Sequence, residues 1–339
     1  MSGTLISDVL FRTITCRPLH PTFGAEVVGA HFNNMSEEQL QEIKSAMAKY
    51  NVLVFRKANL TDEEHIEFSR RFGELDYLFD VSNIGEDGKI VDPESPRAYF
   101  SKGNYVFHSD GTFNRQRASW SILRAVQLPP PGTGGQTEYA DSLAAWDDLD
   151  EDLKHELLER DLIGCHSLLQ LRKLGAPEYF KDVNPWSSPF MRFRIVSTHE
   201  PSGRKTLYVG NYLHHLETRD GTPLPEEENE RLMKKLIGQV THPKNVLSVD
   251  WHENGDMIAW DNISTLHRAT RGSFEGKHFR DMRRTTVKDN SKDAWGLNPR
   301  DEMEGQNLSV TRKILFLTRY KRLKAEHRIR QKVMITAGQ

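Results

Sequence analysis

Two candidate metal ligands lie two residues apart in the sequence VFHSDGTF, at residues 106–113. In a strand, alternate residues share a face, so His108 and Asp110 would project together while Ser109 points away. An imidazole and a carboxylate on one face can chelate a single metal ion. An isolated His-x-Asp triplet is also common in soluble proteins that bind no metal, so the triplet alone leaves both interpretations open.

A third candidate ligand, His267, follows an apolar run and a polar turn in DMIAWDNISTLHRATRG, at residues 256–272. If the two segments meet across the mouth of a β-sandwich, two histidines and one carboxylate come together and leave coordination positions open. That donor set is the facial triad of non-haem Fe(II) oxygenases. We therefore expect His108 and His267, as neutral imidazoles, and Asp110, as a carboxylate, to bind Fe(II).

Three arginines, Arg280, Arg283 and Arg284, follow His267 in the sequence HFRDMRRTTV, at residues 278–287. Strand alternation places Arg280, Met282 and Arg284 on one face. A planar guanidinium suits bidentate recognition of a carboxylate, and a buried one is costly unless an anion pairs with it. If this face points inward, the arginines are predicted to bind anions; an ordinary surface stripe is the alternative.

The elements that would position these residues are predicted to be mainly strands. Short runs rich in β-branched and aromatic residues are separated by Gly, Pro and Asn turns, with helices only near residues 142–161 and 225–238. This pattern is typical of an antiparallel barrel or a double-sheet jelly roll that carries inserted helices. The runs are WSILRAVQL, FRIVSTH, TLYVG, NVLSVDW, DMIAWDN and RRTTV.

Ahead of these strands, two helix signals flank the buried run NVLVFR and predict an N-terminal cap of α+β type. Ser36 with Gln39, and Thr61 with Glu64, each have the spacing of a capping box before apolar residues at helical intervals. Residues 77–103 are polar and rich in turn residues without periodicity, which predicts a loop or mobile lid.

Composition limits the class of protein. The 339 residues are 37% hydrophobic, with a net charge of −2, and no apolar run approaches the length of a membrane helix. The N-terminus has no secretory pattern, and the two cysteines, Cys16 and Cys165, are typical of a reducing compartment. We therefore expect a cytoplasmic protein that acts on a small molecule, with no nucleic-acid partner and no membrane span.

Taken together, these segments resemble the TauD/TfdA family of Fe(II)- and 2-oxoglutarate-dependent dioxygenases, and its 2,4-dichlorophenoxyacetate (TfdA-like) branch in particular. The resemblance spans roughly residues 18–288 and implies a double-stranded β-helix core, a jelly roll of cupin type with flanking helices. The matching segments are NVLVFR, DVSNIGEDGK, FHSDGTF, GGQTEYADSLAAWDDL, THEPSGRKTLYVG, GDMIAWDNISTLHRATRG and RRTTV.

The resemblance implies roles for individual residues of this chain. His108, Asp110 and His267 match the iron ligands, while Thr137 and Arg280 match residues that bind the distal carboxylate of 2-oxoglutarate. With O2 as the other cosubstrate, such enzymes release succinate and CO2 while removing hydrogen from an unactivated C–H bond.

Four further positions match residues that contact the primary substrate in relatives. Arg284 matches the position that meets its acidic group, and Asn104 matches a pocket asparagine four residues before the first ligand. His199 and His215 match histidines proposed to touch substrate, although an isolated histidine is more often structural. The resemblance thus implies a small acidic substrate: a carboxylate, an amino acid, an aryloxyacetate-like ether, or a sulfonate or sulfate ester.

The sequence is compatible with several alternatives. Hydrogen abstraction can end in hydroxylation, desaturation or ring closure. A zinc hydrolase would use the same triad, but it would leave Thr137 and Arg280 without a role. A catalytically silent binding module is the third alternative. Phe107 also departs from the pattern, because relatives usually have tryptophan there.

The domain limits are predicted from the extent of the resemblance. Residues 1–290 would form the dioxygenase domain, with the lid at 77–103, and residues 291–339 a C-terminal extension. In that extension, nine Lys and Arg residues face a single acidic residue, Glu326, across residues 310–333. Their helical rhythm predicts a basic amphipathic helix that docks on its own body, on a second subunit of a homo-oligomer, or on an anionic surface.

Overall fold

The computed structural model describes residues 11–300, in which helices lie between groups of one to four strands. The strands are β1 (Thr15–Pro18), β2 (Ala25–Val28), β3 (Val52–Phe55), β4 (Leu75–Ser82), β5 (Ala118–Gln127), β6 (Thr137–Asp141), β7 (Ile163–His166), β8 (Met191–Arg194), β9 (Val196–Thr198), β10 (Lys205–Leu207), β11 (Leu213–Glu217), β12 (Val246–Val249), β13 (Met257–Asp261), β14 (Thr265–Ala269) and β15 (Asp281–Lys288). The α-helices are α1 (Glu37–Tyr50), α2 (Asp62–Arg70), α3 (Pro96–Ser101), α4 (Ser142–Asp147), α5 (Glu151–Arg160), α6 (Leu168–Gly175) and α7 (Glu226–Val240).

A seven-stranded sheet in the order β1-β2-β3-β13-β5-β15-β4 forms the main layer. Its pairs are antiparallel except for β2 with β3. The central strand β13 is buried along its whole length, as expected for the apolar run MIAWD with neighbours on both sides. The run DMIAWDN therefore forms a strand as predicted, and it leads into the turn before β14.

Helices α1 and α2 cover one face of this sheet. Their apolar residues pack with those of β2, β3, β5 and β13 in one core cluster. The capping box predicted from Thr61 and Glu64 is present, with both reciprocal bonds. Only one of the two hydrogen bonds of the capping box predicted at α1 is present. Ser36 accepts from the Gln39 N–H, but the Gln39 side chain bonds to His31, Thr13 and Gly29 instead of to Ser36.

The other face of the large sheet packs against a three-stranded sheet in the order β12-β6-β14. A second core cluster joins the two sheets, and its largest members, Trp260 of β13 and Tyr139 of β6, have ring centroids 5.6 Å apart. A third sheet, β11-β7-β8, packs with α4, α5 and α7 around another cluster. The candidate ligands lie where the first two sheets face each other.

The expectation of an irregular segment at residues 77–103 is wrong in two places. The run from Leu75 to Ser82 forms β4, which pairs with β15 at the edge of the large sheet. Pro96–Ser101 forms helix α3, because Ser95 caps its N-terminus and proline occupies its first turn. Helix α6 was also not predicted. Both short helices rely on contacts with each other rather than on a long apolar repeat.

The predicted C-terminal helix at residues 310–333 lies outside the described residues. Residues 11–298 belong to one compact unit. Within residues 11–300, no helix combines the length and the apolar character that crossing a membrane requires.

Candidate active site

Three candidate ligands converge at the edge of the sheet formed by β12, β6 and β14. His108 pairs with His267 as an isolated bridge, through backbone N–H···O bonds of 3.0 and 2.8 Å. One potential ligand atom from each of His108, Asp110 and His267 lies within 4.8 Å of the other two, and all three residues are buried. The predicted meeting of the two segments is therefore present, with His267 Nε2 3.6 Å from Asp110 Oδ2.

The local structure of the His-x-Asp triplet differs from the strand that was expected. His108 extends the sheet for one residue, and the chain then turns, with Gly111 at a φ of +72°. Asp110 therefore lies on the turn rather than on a strand face. Ser109, expected to point away from the site, is buried and donates its hydroxyl to the backbone oxygen of Asn262.

The conformation of Gly111 is expected to control the position of Asp110. In Gly111→Ala the new Cβ would lie 2.9 Å from Ala118 Cβ, whereas at Gly132, with φ +80°, nothing lies within 4 Å. Strain of alanine at positive φ should cost about 1 kcal/mol of folding free energy in both variants, and the close contact with Ala118 should make Gly111→Ala the less stable of the two. Only Gly111→Ala should also weaken metal binding, by about tenfold, since it shifts Asp110.

Chemical denaturation and metal titration of both variants test this pair. Equal metal affinity in Gly111→Ala and Gly132→Ala would show that the turn does not control the position of Asp110.

Asp110 is held by a network of buried hydrogen bonds. Ser121 of β5 donates to Asp110 Oδ2 at 2.8 Å, and Asn262 Oδ1 accepts from the Asp110 N–H at 3.0 Å. Asn262 also donates to Ser121 at 2.9 Å and accepts from Trp260 Nε1 at 3.0 Å. Asn262 thus fixes both the backbone and the carboxylate of Asp110.

These supporting residues were not found from the sequence. Asn262 was visible only as a polar residue in the turn that follows β13. Ser121 becomes adjacent to Asp110 because β5 pairs with β13, where Ser121 is opposite Trp260. No local sequence pattern predicts a long-range contact of this kind.

The charge states of the three groups suit a metal cation. Burial lowers the pKa of His108 and holds that of His267 well below its ordinary value, so both imidazoles are neutral near pH 7. Burial on its own would raise the pKa of Asp110, but Arg284 and the two histidines bring it below its ordinary value. His108 Nδ1 lies 2.7 Å from the Val106 oxygen and donates to it, which leaves Nε2 as a ligand atom.

Arg280 bonds to the segment that leads into β6, two residues before Thr137. Arg280 precedes β15 and donates through Nη2 to the Gly135 oxygen at 3.3 Å, while its Nε has no partner. Its side chain is buried, it pairs with no carboxylate among residues 11–300, and burial lowers its pKa to about 10. Trp251 Nε1 donates to the Thr137 hydroxyl at 3.1 Å, so the hydroxyl hydrogen is available to another acceptor.

Arg284 meets the candidate metal ligand directly. Its Nη1 lies 2.7 Å from Asp110 Oδ1, and its guanidinium lies 5.3 Å from the centre of the Phe79 ring. The Nε atom is buried without a partner. The expectation of an inward face of β15 therefore agrees with the structure for both Arg280 and Arg284.

His199 occupies a different place from the one expected of a substrate contact. It is fully buried, with Nδ1 2.7 Å from the Ser202 hydroxyl and Nε2 3.1 Å from Asp261 Oδ2. The other oxygen of Asp261 accepts the backbone N–H groups of Ile263 and Ser264, in the turn that precedes β14. Both ring nitrogens are thus engaged in holding this turn, and a substrate role is not supported.

We expect His199→Ala to lower the free energy of unfolding by about 3 kcal/mol, because it leaves the carboxylate of Asp261 buried without its partner. The KM for the primary substrate should not change in the folded variant. Urea denaturation and steady-state kinetics measure the two effects, with the exposed His155→Ala as control. A raised KM with unchanged stability would restore the substrate role.

The two remaining candidates are less closely tied to the triad. Asn104 is half-buried in the 3-10 helix Lys102–Tyr105, just before the first ligand segment. His215 lies on β11, where it contacts His214, Glu217 and aromatic side chains rather than the triad. Phe107, the departure noted above, is buried in the core, with the Arg268 guanidinium 4.4 Å from its ring centre.

The described site can be compared with known proteins. A sequence model of the family described as "Taurine catabolism dioxygenase TauD, TfdA family" matches residues 15–286. The chain belongs to this family. The TauD/TfdA match includes all three members of the triad, Arg280, Arg284 and Thr137.

Named relatives of this TauD/TfdA chain are enzymes. The α-ketoglutarate-dependent 2,4-dichlorophenoxyacetate dioxygenase of Burkholderia sp. (strain RASC) is 32% identical over 292 residues, covering 81% of this chain and 94% of that protein. The alkylsulfatase of Acinetobacter baylyi is 29% identical over 289 residues, covering 81% and 85%. The crystal structure of AAD-2 in complex with Mn(II) and N-oxalylglycine has 34% identity and a TM-score of 0.74, and covers 83% of this chain and 98% of that chain.

The predicted family and enzyme class are confirmed. The chain is an α-ketoglutarate-dependent oxidoreductase whose cofactors are Fe(II), 2-oxoglutarate and O2. Its fold is mainly β with helices, as in the solved structures of the TauD/TfdA family that it matches. The domain limits, the homo-oligomer, the absence of a nucleic-acid partner and the cytoplasmic location stay predictions.

Proposed function

We propose that this protein oxidises a C–H bond of a small acidic substrate, with Fe(II) held by His108, Asp110 and His267. The observation that carries the proposal is the convergence of these three buried side chains, with potential ligand atoms within 4.8 Å of one another. Their donor set, two neutral imidazoles and one carboxylate, fits Fe(II). When bound together, Fe(II), 2-oxoglutarate and O2 supply oxidation of an unactivated C–H bond, with release of succinate and CO2.

The binding of 2-oxoglutarate is assigned to Arg280 and Thr137. A buried guanidinium without a carboxylate partner is costly, and the distal carboxylate of 2-oxoglutarate would supply the missing charge. Thr137 offers a hydroxyl hydrogen to the same group, because its oxygen already accepts from Trp251. This pair would have no use in a zinc hydrolase.

The two facing sheets support a finer description of the fold. We propose that the large sheet and the sheet β12-β6-β14 form a double-stranded β-helix, a jelly roll of cupin type. In this arrangement Ser121 and Asn262 orient Asp110 from one sheet, while the bridge between His108 and His267 fixes the two imidazoles on the other. Rigid placement of this kind keeps the reacting groups in register and excludes water.

The substrate class is inferred from Arg284. Its guanidinium keeps donors beyond the one used by Asp110, and Phe79 offers a ring face beside it. An anionic group next to an apolar or aromatic body fits these two partners. The relatives named above act on 2,4-dichlorophenoxyacetate and on alkyl sulfates, so we propose an aryloxyacetate-like ether or a sulfate ester, with Asn104 at the edge of the pocket.

A matched substrate screen tests the proposal. Succinate formation from 2-oxoglutarate is measured with Fe(II), ascorbate and O2, using each small acid beside its neutral amide or alcohol. We expect turnover to be stimulated by acids and not by their neutral analogues, and Arg284→Leu to remove this preference while the KM for 2-oxoglutarate stays constant. Turnover of 2-oxoglutarate that no acid stimulates would reject the substrate class, and absence of all turnover would reject the enzyme assignment.

Mass spectrometry of the product distinguishes the possible outcomes of the reaction. A gain of one oxygen indicates hydroxylation, which for a carbon that bears oxygen collapses to C–O cleavage. A loss of two hydrogens indicates desaturation or ring closure.

A further inference from the structure

A second group of potential metal ligands lies on the sheet β11-β7-β8. Cys165, His215 and Glu217 each place one ligand atom within 4.8 Å of those of the other two. Cys165 and His215 are directly opposite each other in the antiparallel pair β7–β11, and Glu217 follows His215 by two residues on the same face. The grouping is therefore built into the strand register rather than formed by chance contact of loops.

The two ligands from β11 each have a partner that fixes their orientation. His215 Nδ1 lies 3.0 Å from His214 Nδ1, and His215 Nε2 lies 3.2 Å from Glu217 Oε1. Arg192 Nε, from the neighbouring strand β8, donates to the other oxygen, Glu217 Oε2, at 2.8 Å. Metal-binding histidines and carboxylates usually have such a second partner on the atom that does not bind the metal.

The site is enclosed by protein. Cys165 is fully buried, and the side chains of His215 and Glu217 are 7% and 13% exposed. Trp186 and Phe190 pack over His215, each with its ring centroid 4.8 Å away. A hard, fully hydrated cation is disfavoured in such a place, whereas a thiolate, an imidazole and a carboxylate together suit zinc.

We propose that Cys165, His215 and Glu217 form a Zn(II) site that joins β7 to β11, separate from the Fe(II) triad. Zinc would replace the proton of the Cys165 thiol and the hydrogen bond between His215 and Glu217. His215 Nδ1–H would then donate to His214, and Arg192 would still donate to the Glu217 oxygen that does not bind the metal. The thiolate and the Glu217 carboxylate balance the two positive charges of the ion, and Arg192, whose side chain is 30% exposed, leaves a net charge of +1. Without metal, burial raises the pKa of the Cys165 thiol, so zinc binding should release a proton near pH 7.

Cobalt(II) is the probe for this site, because a cobalt–thiolate bond gives an intense near-ultraviolet charge-transfer absorption. The full-length protein is titrated with Co(II) in a buffer that contains no metal-binding reductant. We expect the absorption in the unmodified protein, in Cys16→Ser and in His108→Ala, and its loss in Cys165→Ser. Added Zn(II) should abolish it. His214→Ala should weaken Co(II) binding at this site by about tenfold, because it removes only the orienting partner.

The variants also separate this proposal from the iron assignment. His108→Ala removes a member of the triad, so an absorption that persists there belongs to a different site. If Cys165→Ser does not fold, His215→Gln and Glu217→Gln leave the buried thiol in place and should each lose Co(II) binding. Absence of a thiolate absorption in the unmodified protein, or its persistence in Cys165→Ser or in both glutamine variants, would overturn the proposal.

Discussion

Replacing His108 by alanine is expected to remove Fe(II) binding and 2-oxoglutarate turnover together. The substitution deletes one of three protein donors and leaves Asp110 and His267 as the remaining pair. Loss of a residue that only orients a ligand weakens metal binding by about 10–100-fold, so loss of the ligand itself should exceed that range. Anaerobic titration with Fe(II) and 2-oxoglutarate, followed by the visible charge-transfer absorption of the complex, measures the effect.

The control must reproduce the loss of a buried imidazole without touching the site. His65 is fully buried in α2, and its Nε2 lies 3.2 Å from the Thr285 hydroxyl on β15. Arg284, which precedes Thr285 in the sequence, points to the other face of this strand, towards Asp110. His65→Ala should therefore lower stability but keep Fe(II) affinity. If His108→Ala retains the charge-transfer absorption, or if His65→Ala loses it equally, the assignment of His108 as an iron ligand is wrong.

The identity of the candidate triad could be predicted from the sequence, but its local geometry could not. Residue type and spacing marked His108 and Asp110, and the polar turn after an apolar run marked His267. The strand assumed for the first two is replaced by a one-residue bridge and a turn at Gly111. A single paired residue leaves no alternating pattern, so the sequence offered only the glycine as a sign of the turn.

The residues that hold the site were less visible than the candidate ligands. Asn262 and Ser121 come together only when β13 and β5 pair, which depends on packing of the whole sheet. The substrate roles expected for His199 and His215 stay predictions. Similarity to relatives suggested substrate contacts, whereas the side chains bond to Asp261 and Glu217 in separate buried networks. A histidine's type does not reveal which partner its two nitrogens find.

The edge strand β4 was missed for a related reason. In Leu75–Ser82 every second residue from Leu75 to Val81 is apolar or aromatic, which is a strand pattern, but polar turn residues follow closely and dominated the prediction. The strand is stabilised by pairing with β15, a segment about 200 residues away along the chain. Through this pairing Phe79 comes opposite Arg284, so the missed strand supplies part of the proposed substrate pocket.

Replacing Arg280 by leucine should have opposite effects on cosubstrate binding and on stability. The guanidinium is 8% exposed, its Nε has no partner, and its Nη2 bonds only to the Gly135 oxygen. Leucine removes a buried charge that no described carboxylate balances, so stability without 2-oxoglutarate should stay constant or rise. Binding of 2-oxoglutarate should weaken by on the order of 100-fold, the equivalent of about 3 kcal/mol for a lost charge-assisted contact.

Arg283→Leu provides the matched comparison, because Arg283 is 7% exposed and lies three residues away on the opposite face. Its guanidinium donates to both oxygens of Asp281 and lies 3.3 Å from Asp80, so leucine there removes the cation that binds the Asp281 carboxylate. We expect Arg283→Leu to lower stability by about 3 kcal/mol and to leave 2-oxoglutarate affinity unchanged. Urea denaturation and anaerobic titration of both variants separate the roles. If Arg280→Leu destabilises the protein as Arg283→Leu does and still binds 2-oxoglutarate, Arg280 is a structural residue and another cation must meet the distal carboxylate.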